Sequence, residues 1–138
     1  MYKGAGVMLF RQGNAGYEVF LGQRSINQDY GKWSIPGGGY EEKVDRNPKE
    51  NAFREFWEET HIDLKKKKIS DVKEMHIAIS FFFDWHTFLY TTEDKLTEAI
   101  PCEFSRLQWI PLSNLHTYEL CFGVKEEVQA FLKAIKNA

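Results

Sequence analysis

NPKENAFREFWEETHI, Asn47 to Ile62, reads as one helix with two chemically different faces. Asn47 suits the N-cap, Pro48 suits the first helical position, and Glu50 stands three residues after the cap. On a helical wheel of about 100° per residue, with Glu55 set at about 0°, Glu59 falls near +40° and Glu58 near −60°. Phe56, Thr60, Phe53 and Trp57 fall between roughly 100° and 200°. Three carboxylates therefore share one face, and a mostly aromatic face lies opposite. Like charges at these spacings cost a few tenths of a kcal/mol per pair. A hard divalent cation such as Mg²⁺, which takes carboxylate and phosphate oxygens, would relieve that repulsion. The plain alternative is a solvated acidic face, since Glu is a strong helix former.

The residues before the helix favour the cation. Trp33-Ser34-Ile35-Pro36 is a stiff approach to Gly37-Gly38-Gly39. Glycine permits positive φ and a close backbone approach to a ligand. A glycine-rich loop ahead of an acidic helix can present amides or carbonyls to a metal–phosphate unit. An ordinary turn would carry the same glycines.

Gly38 followed by Arg54-Glu55-Phe56-Trp57-Glu58-Glu59-Thr60-His61-Ile62 resembles the Nudix box, G-x5-E-x7-R-E-U-x-E-E-x-G-U with U a bulky apolar residue. Three departures stand out. Gly38 and Arg54 lie two residues further apart than the pattern sets them, which places an insertion between Glu41 and Asn47. The first Glu of the pattern falls on Val44 or Arg46, depending on the direction of counting, so Asp45 is the nearest acid that could substitute, with Glu41 and Glu42 close by. His61 occupies the position of the usual Gly, a natural left-handed helix stop. With His there, the helix either runs on slightly or holds modest strain.

The resemblance implies an α/β fold, the Nudix α/β/α sandwich around a mixed β-sheet, and a hydrolase of the MutT-like kind. It implies cleavage of the pyrophosphate linkage of a nucleoside diphosphate joined to another group, with nucleoside triphosphates as the leading class. By the same resemblance Glu55, Glu58 and Glu59 hold Mg²⁺, or Mn²⁺ in its place, with the Gly38 carbonyl as a further ligand. Arg54, four residues before Glu58, is spaced to fix that carboxylate. The general base is Glu55 or an acid on a distant loop, with Glu98 first and Glu93 and Glu103 behind it. Gly37, Gly39 and Arg24 are expected at the phosphates, Arg24 because its guanidinium matches phosphate oxygens; a surface charge is the plain reading of Arg24. Val72 to Ile79 contains neither the Pro common in ADP-ribose-cleaving members nor the Tyr common in dinucleoside polyphosphate hydrolases. Two other readings stand beside the enzyme. One is a catalytically weak nucleotide-binding or regulatory module, supported by the missing box Glu. The other is a structural acidic helix in an unrelated α/β domain.

Length and composition fit these expectations. The 138 residues suit one domain, 1–138, with a real core. A net charge of −2 gives no bulk electrostatic case for a DNA or membrane partner, and the small-molecule nucleotide partner is what the resemblance implies. Homodimerisation is compatible with the chain. Cys102 and Cys121 lack metal-type spacing and fit a reduced compartment. Gly4 to Phe10 is too short for a membrane span and lacks a cleavage pattern, so a cytoplasmic protein is expected.

Strands are expected at Lys3 to Phe10 and Tyr17 to Arg24 as a hairpin, then at Val72 to Phe82, Trp85 to Thr92 and Glu103 to Ile110. Gly37 to Arg46 reads as loop, and a turn is expected near Phe83-Asp84. Lys65 to Lys68 reads as a solvated run past the helix end, with a polyphosphate or RNA patch as the alternative. The aromatic run Phe81 to His86 reads as sheet packing rather than base stacking. His76 and His86 have no ligand partner at helical spacing and read as structural or surface residues. Val124, Val128, Phe131, Leu132 and Ile135 form the stripe of a terminal amphipathic helix, about Gly123 to Lys136.

Overall fold

Tyr2–Gly13 forms strand β1, and its apolar run lacks alternation because both faces are covered. Ala5, Val7 and Leu9 point to one core, shared with Phe20, Ala52, Phe56, Phe88 and Tyr90. Met8 and Phe10 point to the other, shared with Val19, Leu21, Leu89, Ile110 and Phe131. The structure, a computed structural model, describes residues 1–26 and 28–137.

The remaining elements are β2 (Gly16–Arg24), β3 (Trp33–Ser34), β4 (Gly37–Gly39), α1 (Pro48–Thr60), β5 (Ile69–Ile79), β6 (Phe83–Thr92), β7 (Phe104–Pro111) and α2 (Val124–Lys136). Together the strands make one mixed sheet with α1 on one face and α2 on the other, the expected sandwich. β6 runs parallel to β1, while the other pairings are antiparallel. The second edge of β1 is shared. Phe10 to Gly13 pairs with β2, whereas Gly4 to Gly6 pairs with β4. Beyond Val19, β2 leaves β1 and pairs with β3 and β7. β4 fills that fork beneath α1, and the fork positions the site.

Several expectations change. Gly37–Gly39 is a strand, not a loop, and none of the three glycines has positive φ. What they supply is closeness: a Cβ on Gly37 would lie 2.8 Å from the Ala5 carbonyl oxygen and from the Gly6 Cα. The β5–β6 turn falls on Ser80 to Phe82, with Ser80 at φ 50°, rather than at Phe83-Asp84. Phe81 and Phe82 are 83% and 75% exposed there, so sheet packing explains neither. On α1 the buried residues are Asn51, Ala52, Phe56, Glu59 and Thr60, while Trp57 is half exposed. The buried stripe is thus centred about 60–90° closer to the acids than the aromatic face suggested. On α2, Leu132 is exposed, while Val124, Val128 and Phe131 are buried.

The helix caps follow the sequence. Asn47 Oδ1 accepts from the Glu50 N–H at 2.9 Å. The helix ends at Thr60, and His61 takes the left-handed conformation, φ 58° and ψ 29°, donating its N–H to the Trp57 carbonyl. His61 therefore stops the helix where Gly usually would, at the cost of a strained backbone position.

One buried acid under α2 gives a stability test. Trp85 Nε1–H donates to Thr87 Oγ1 at 2.8 Å, and the Thr87 hydroxyl donates to Glu127 Oε2. Burial pushes the Glu127 carboxyl up to about 7 against the Thr87 hydrogen bond. An acid whose folded pKa is raised binds its proton more tightly when folded, so stability falls as pH rises from the unfolded value to about 7. Glu127→Gln keeps a hydrogen-bond acceptor and removes the charge. It should raise stability by roughly 1–3 kcal/mol at pH 8 and change little at pH 4. Denaturant unfolding at the two pH values checks this; an equal effect at both removes the explanation.

Candidate active site

Arg54 is the hub. Its Nε and one terminal nitrogen donate to both oxygens of Asp45, at 2.9 and 2.8 Å. That same nitrogen donates to the Gly39 carbonyl at 2.8 Å. Its other terminal nitrogen donates to Glu55 Oε2 and Glu58 Oε2, each at 3.0 Å. All of its polar reach is engaged, and these bonds hold its proton more tightly than usual. The planar fork thereby ties β4, the loop before α1, and two turns of α1 together.

Asp45 is buried and accepts, besides Arg54, the Glu41 N–H at 2.9 Å. The hydrogen bond from Arg54 holds its carboxyl below the usual carboxylate range. Its oxygens are occupied by these donors, so it orients Arg54 rather than presenting an open ligand. The two-residue extension of the loop lets the shorter Asp side chain approach Arg54 from a folded turn, in which the Val44 and Asp45 amides donate to the Glu41 carbonyl.

Glu55 and Glu59 face β4. The Glu55 carboxylate sits in the space a Gly38 side chain would occupy, so any side chain there would displace it. Glu59 Oε2 accepts the Gly37 N–H at 2.7 Å. Burial first, and then the neighbouring Glu55 charge, push the Glu59 carboxyl up to about 8, while the Gly37 bond and Arg24 pull the other way. Glu55 is raised as well, chiefly by burial. Glu58 lies at the mouth with its side chain 47% exposed. Asn51, one turn before Glu55, donates to the Gly38 and Gly39 carbonyls at 3.2 and 3.1 Å.

These contacts alter the roles expected of the glycines. The Gly37 amide serves Glu59, and the Gly39 carbonyl serves Arg54 and Asn51. Both position carboxylates and side chains instead of offering those groups to a phosphate. The Gly38 carbonyl accepts from Asn51 and lies opposite Ala5 in the β1–β4 ladder.

Arg24 reaches the site. Its charge acts on Glu59 and on Tyr2, while its Nε donates to the Gln28 carbonyl at 3.1 Å. Glu98 does not join the cluster. Lys67 Nζ holds it at 2.7 Å and keeps its carboxyl low, so it is a poor base here. Glu103 is the loop acid whose charge is felt at Glu59. The Cys102 N–H donates to the Glu59 carbonyl and fastens this loop to the end of α1. Lys65 to Lys68 is not simply solvated, since Lys67 bridges Asp94 and Glu98 and Lys66 to Lys68 line a groove with Arg11.

Sequence reasoning missed Asn51 and Tyr2. Asn51 had a signal, a polar residue near −40° on the acidic face of the wheel. Tyr2 had none. Its hydroxyl is raised by burial and then by the Glu55 and Glu59 charges, which places it beside the acids through the pairing of β1 with β4.

The donor set fits a hard cation. Glu55, Glu58 and Glu59 supply the carboxylate oxygens of the set, Asp45 being taken up by Arg54. Oxygen ligands in that number suit Mg²⁺ or Mn²⁺.

The family model described as NUDIX domain matches residues 2–131. An RNA pyrophosphohydrolase of Roseobacter denitrificans is 45% identical over 129 residues, covering 80% of this chain and 76% of that protein. Among solved structures, the Nudix hydrolase RenU from M. smegmatis superimposes with a TM-score of 0.79 at 17% identity, covering 99% of this chain and 86% of that one. The NUDIX domain of Shewanella oneidensis NrtR, solved with ADP ribose, gives 0.70 at 21% identity, covering 99% and 88%. At these identities the solved structures speak for the fold alone.

Proposed function

The chain belongs to the Nudix family of hydrolases acting on pyrophosphate bonds, and on that premise we propose that it is a Mg²⁺-dependent pyrophosphohydrolase of 5′-triphosphate groups. The reading takes residues 1–138 as one such domain. Its main support is that the fully engaged Arg54 holds Glu55 and Glu58 while the Gly37 amide holds Glu59, beside Gly38. The 45% identical relative, named an RNA pyrophosphohydrolase, makes an RNA 5′ end the first carrier of that triphosphate to test.

Glu55, Glu58, Glu59 and the Gly38 carbonyl would hold the cation. When bound, it would neutralise phosphate oxygens and make the attacking water more acidic. The protein's own groups do the positioning. Asp45 fixes Arg54, Arg54 fixes Glu55 and Glu58, and the Gly37 amide fixes Glu59. Glu55, with its raised pKa, takes the proton from water as oxygen bonds to phosphorus and the bridging P–O bond breaks. Glu103 is the alternative base, on the loop beside Glu59. Arg24 meets the substrate's phosphate oxygens with guanidinium N–H groups.

The non-catalytic reading loses its chief support, because an acid does meet Arg54 where the box Glu is missing. The test is a substrate panel in Mg²⁺ and in Mn²⁺, with phosphate and pyrophosphate both measured. It should include a 5′-triphosphorylated oligoribonucleotide, the free triphosphates, ADP-ribose and diadenosine tetraphosphate. Metal-dependent turnover should be highest on the RNA end. No turnover on any triphosphate with either metal would return the binding-module reading. Faster cleavage of ADP-ribose or the dinucleotide would overturn the substrate class.

A further inference from the structure

His76 and His86 stand ten residues apart in sequence but face each other across the β5–β6 ladder. Their rings stack at 4.0 Å with 10° between planes. Asp84, two residues before His86 on β6, projects from the same face. Its Oδ1 lies 2.7 Å from His76 Nε2 and 3.5 Å from His86 Nε2. One ligand atom from each residue falls within 4.8 Å of the others. Tetrahedral ligands about 2.0–2.1 Å from a metal lie roughly 3.3 Å apart, so the set closes when the two stacked rings turn out of parallel towards one point.

A second contact points the same way. His86 Nδ1 is bonded to Glu74 Oε2 at 2.7 Å. A carboxylate on one ring nitrogen fixes the tautomer, turning the lone pair of the other nitrogen outward. Histidines that hold a metal almost always carry such a partner. Here Nε2, the nitrogen left over, is the one facing Asp84 and His76.

We propose that His76, Asp84 and His86 form a second metal site, selective for borderline transition ions such as Zn²⁺ or Co²⁺. Two imidazoles and one carboxylate suit these ions, whereas Mg²⁺ prefers oxygen ligands only. Three protein ligands leave one position for water or an anion. A cleft of about 200 Å³ runs from Asp84 and His86 to Lys3, Tyr40, Arg46 and Asn47, so an anion there would meet two cationic side chains. The site is separate from the acidic face of α1 and does not depend on the function proposed above. Its ligands come from a hairpin, where the cross-strand register, not helical spacing, brings the residues together.

The test is Zn²⁺ titration of the full chain carrying Glu58→Gln and Glu59→Gln, so that the acidic site does not compete. One equivalent should bind, and Mg²⁺ in excess should not displace it. Added His76→Ala or His86→Ala should weaken binding at least about 100-fold, and Glu74→Gln about tenfold, the order expected for an outer partner. Unchanged Zn²⁺ affinity in either histidine variant overturns the site. So does the absence of any Zn²⁺ binding in the Glu58→Gln/Glu59→Gln background. Nuclear magnetic resonance of the wild-type chain covers the case of a misfolded variant. The His76 and His86 imidazole signals should shift with the first equivalent, and unshifted signals contradict the proposal.

Discussion

Glu58→Gln and Glu59→Gln should each lower kcat by at least about 10²-fold, the order expected for losing a main electrostatic stabiliser. The fold should survive, because the core contacts of α1 run through Ala52, Phe56 and Thr60. The metal-free protein should in fact gain from Glu59→Gln. Burial and the Glu55 charge raise that carboxyl to about 8, so its ionisation opposes folding as pH rises from the unfolded value to about 8. The amide can still accept the Gly37 N–H. A gain of roughly 1–4 kcal/mol is expected at pH 8.5, shrinking towards nothing near pH 4. Glu58→Gln gives up the ion pair with Arg54 along with the repulsion from its neighbours, so the metal-free stability should change little. Thermal or denaturant melting without metal, beside turnover with saturating metal, reads both effects. Near-normal turnover, or loss of folding without metal, would make these glutamates architectural.

Asp45→Ala carries the second large effect. Asp45 is buried and pairs through both of its oxygens with one edge of Arg54, whose side chain is 15% exposed. Breaking a buried pair by removing one partner is costly because the remaining charge is stranded. Arg54 keeps Glu55, Glu58 and the Gly39 carbonyl, so the expected loss is about 2–4 kcal/mol rather than the full penalty. With Arg54 released, Glu55 and Glu58 lose their fixed rotamers. Then kcat should fall about 10–100-fold with little change in KM, the behaviour of a positioning residue. Asp45→Asn keeps an acceptor and should lie between the wild type and Asp45→Ala. Arg46→Glu breaks an exposed pair with Glu50 and should leave kcat unchanged and stability little altered. Stability and kcat unchanged in Asp45→Ala would mean that Glu41, 3.9 Å from Arg54, takes over.

The sandwich was legible because its signals are local. The caps at Asn47 and Pro48, the uninterrupted apolar run of β1 and the stripe of α2 each name an element without knowledge of its neighbours. The acids on α1 were legible by the same periodicity. The rotation of α1 was not. It depends on Gly38, whose missing side chain leaves room for Glu55 against the sheet, and that is a tertiary property. Glycines suggested a loop by their backbone freedom. In the sheet they act through their missing side chains. Glu98 looked available because sequence does not show Lys67 folding back onto it. Histidines 76 and 86 looked isolated because strand register is invisible until β5 and β6 are paired.

Mn²⁺ binding followed by electron paramagnetic resonance tests the central claim most directly, in the wild type, in Glu58→Gln and in Glu50→Gln. Glu50 sits on the same helix but is held by Arg46, so it serves as the control. His76→Ala in all three backgrounds removes the proposed second site from the count. Mn²⁺ should bind the wild type and Glu50→Gln alike, be displaced by Mg²⁺, and raise the melting temperature of both by mass action. Glu58→Gln should bind at least about tenfold more weakly and lose most of that thermal shift, as expected when a metal-site contact is removed. Equal Mn²⁺ affinity in Glu58→Gln and Glu50→Gln would contradict the assignment of the acidic face of α1 as the metal-binding centre.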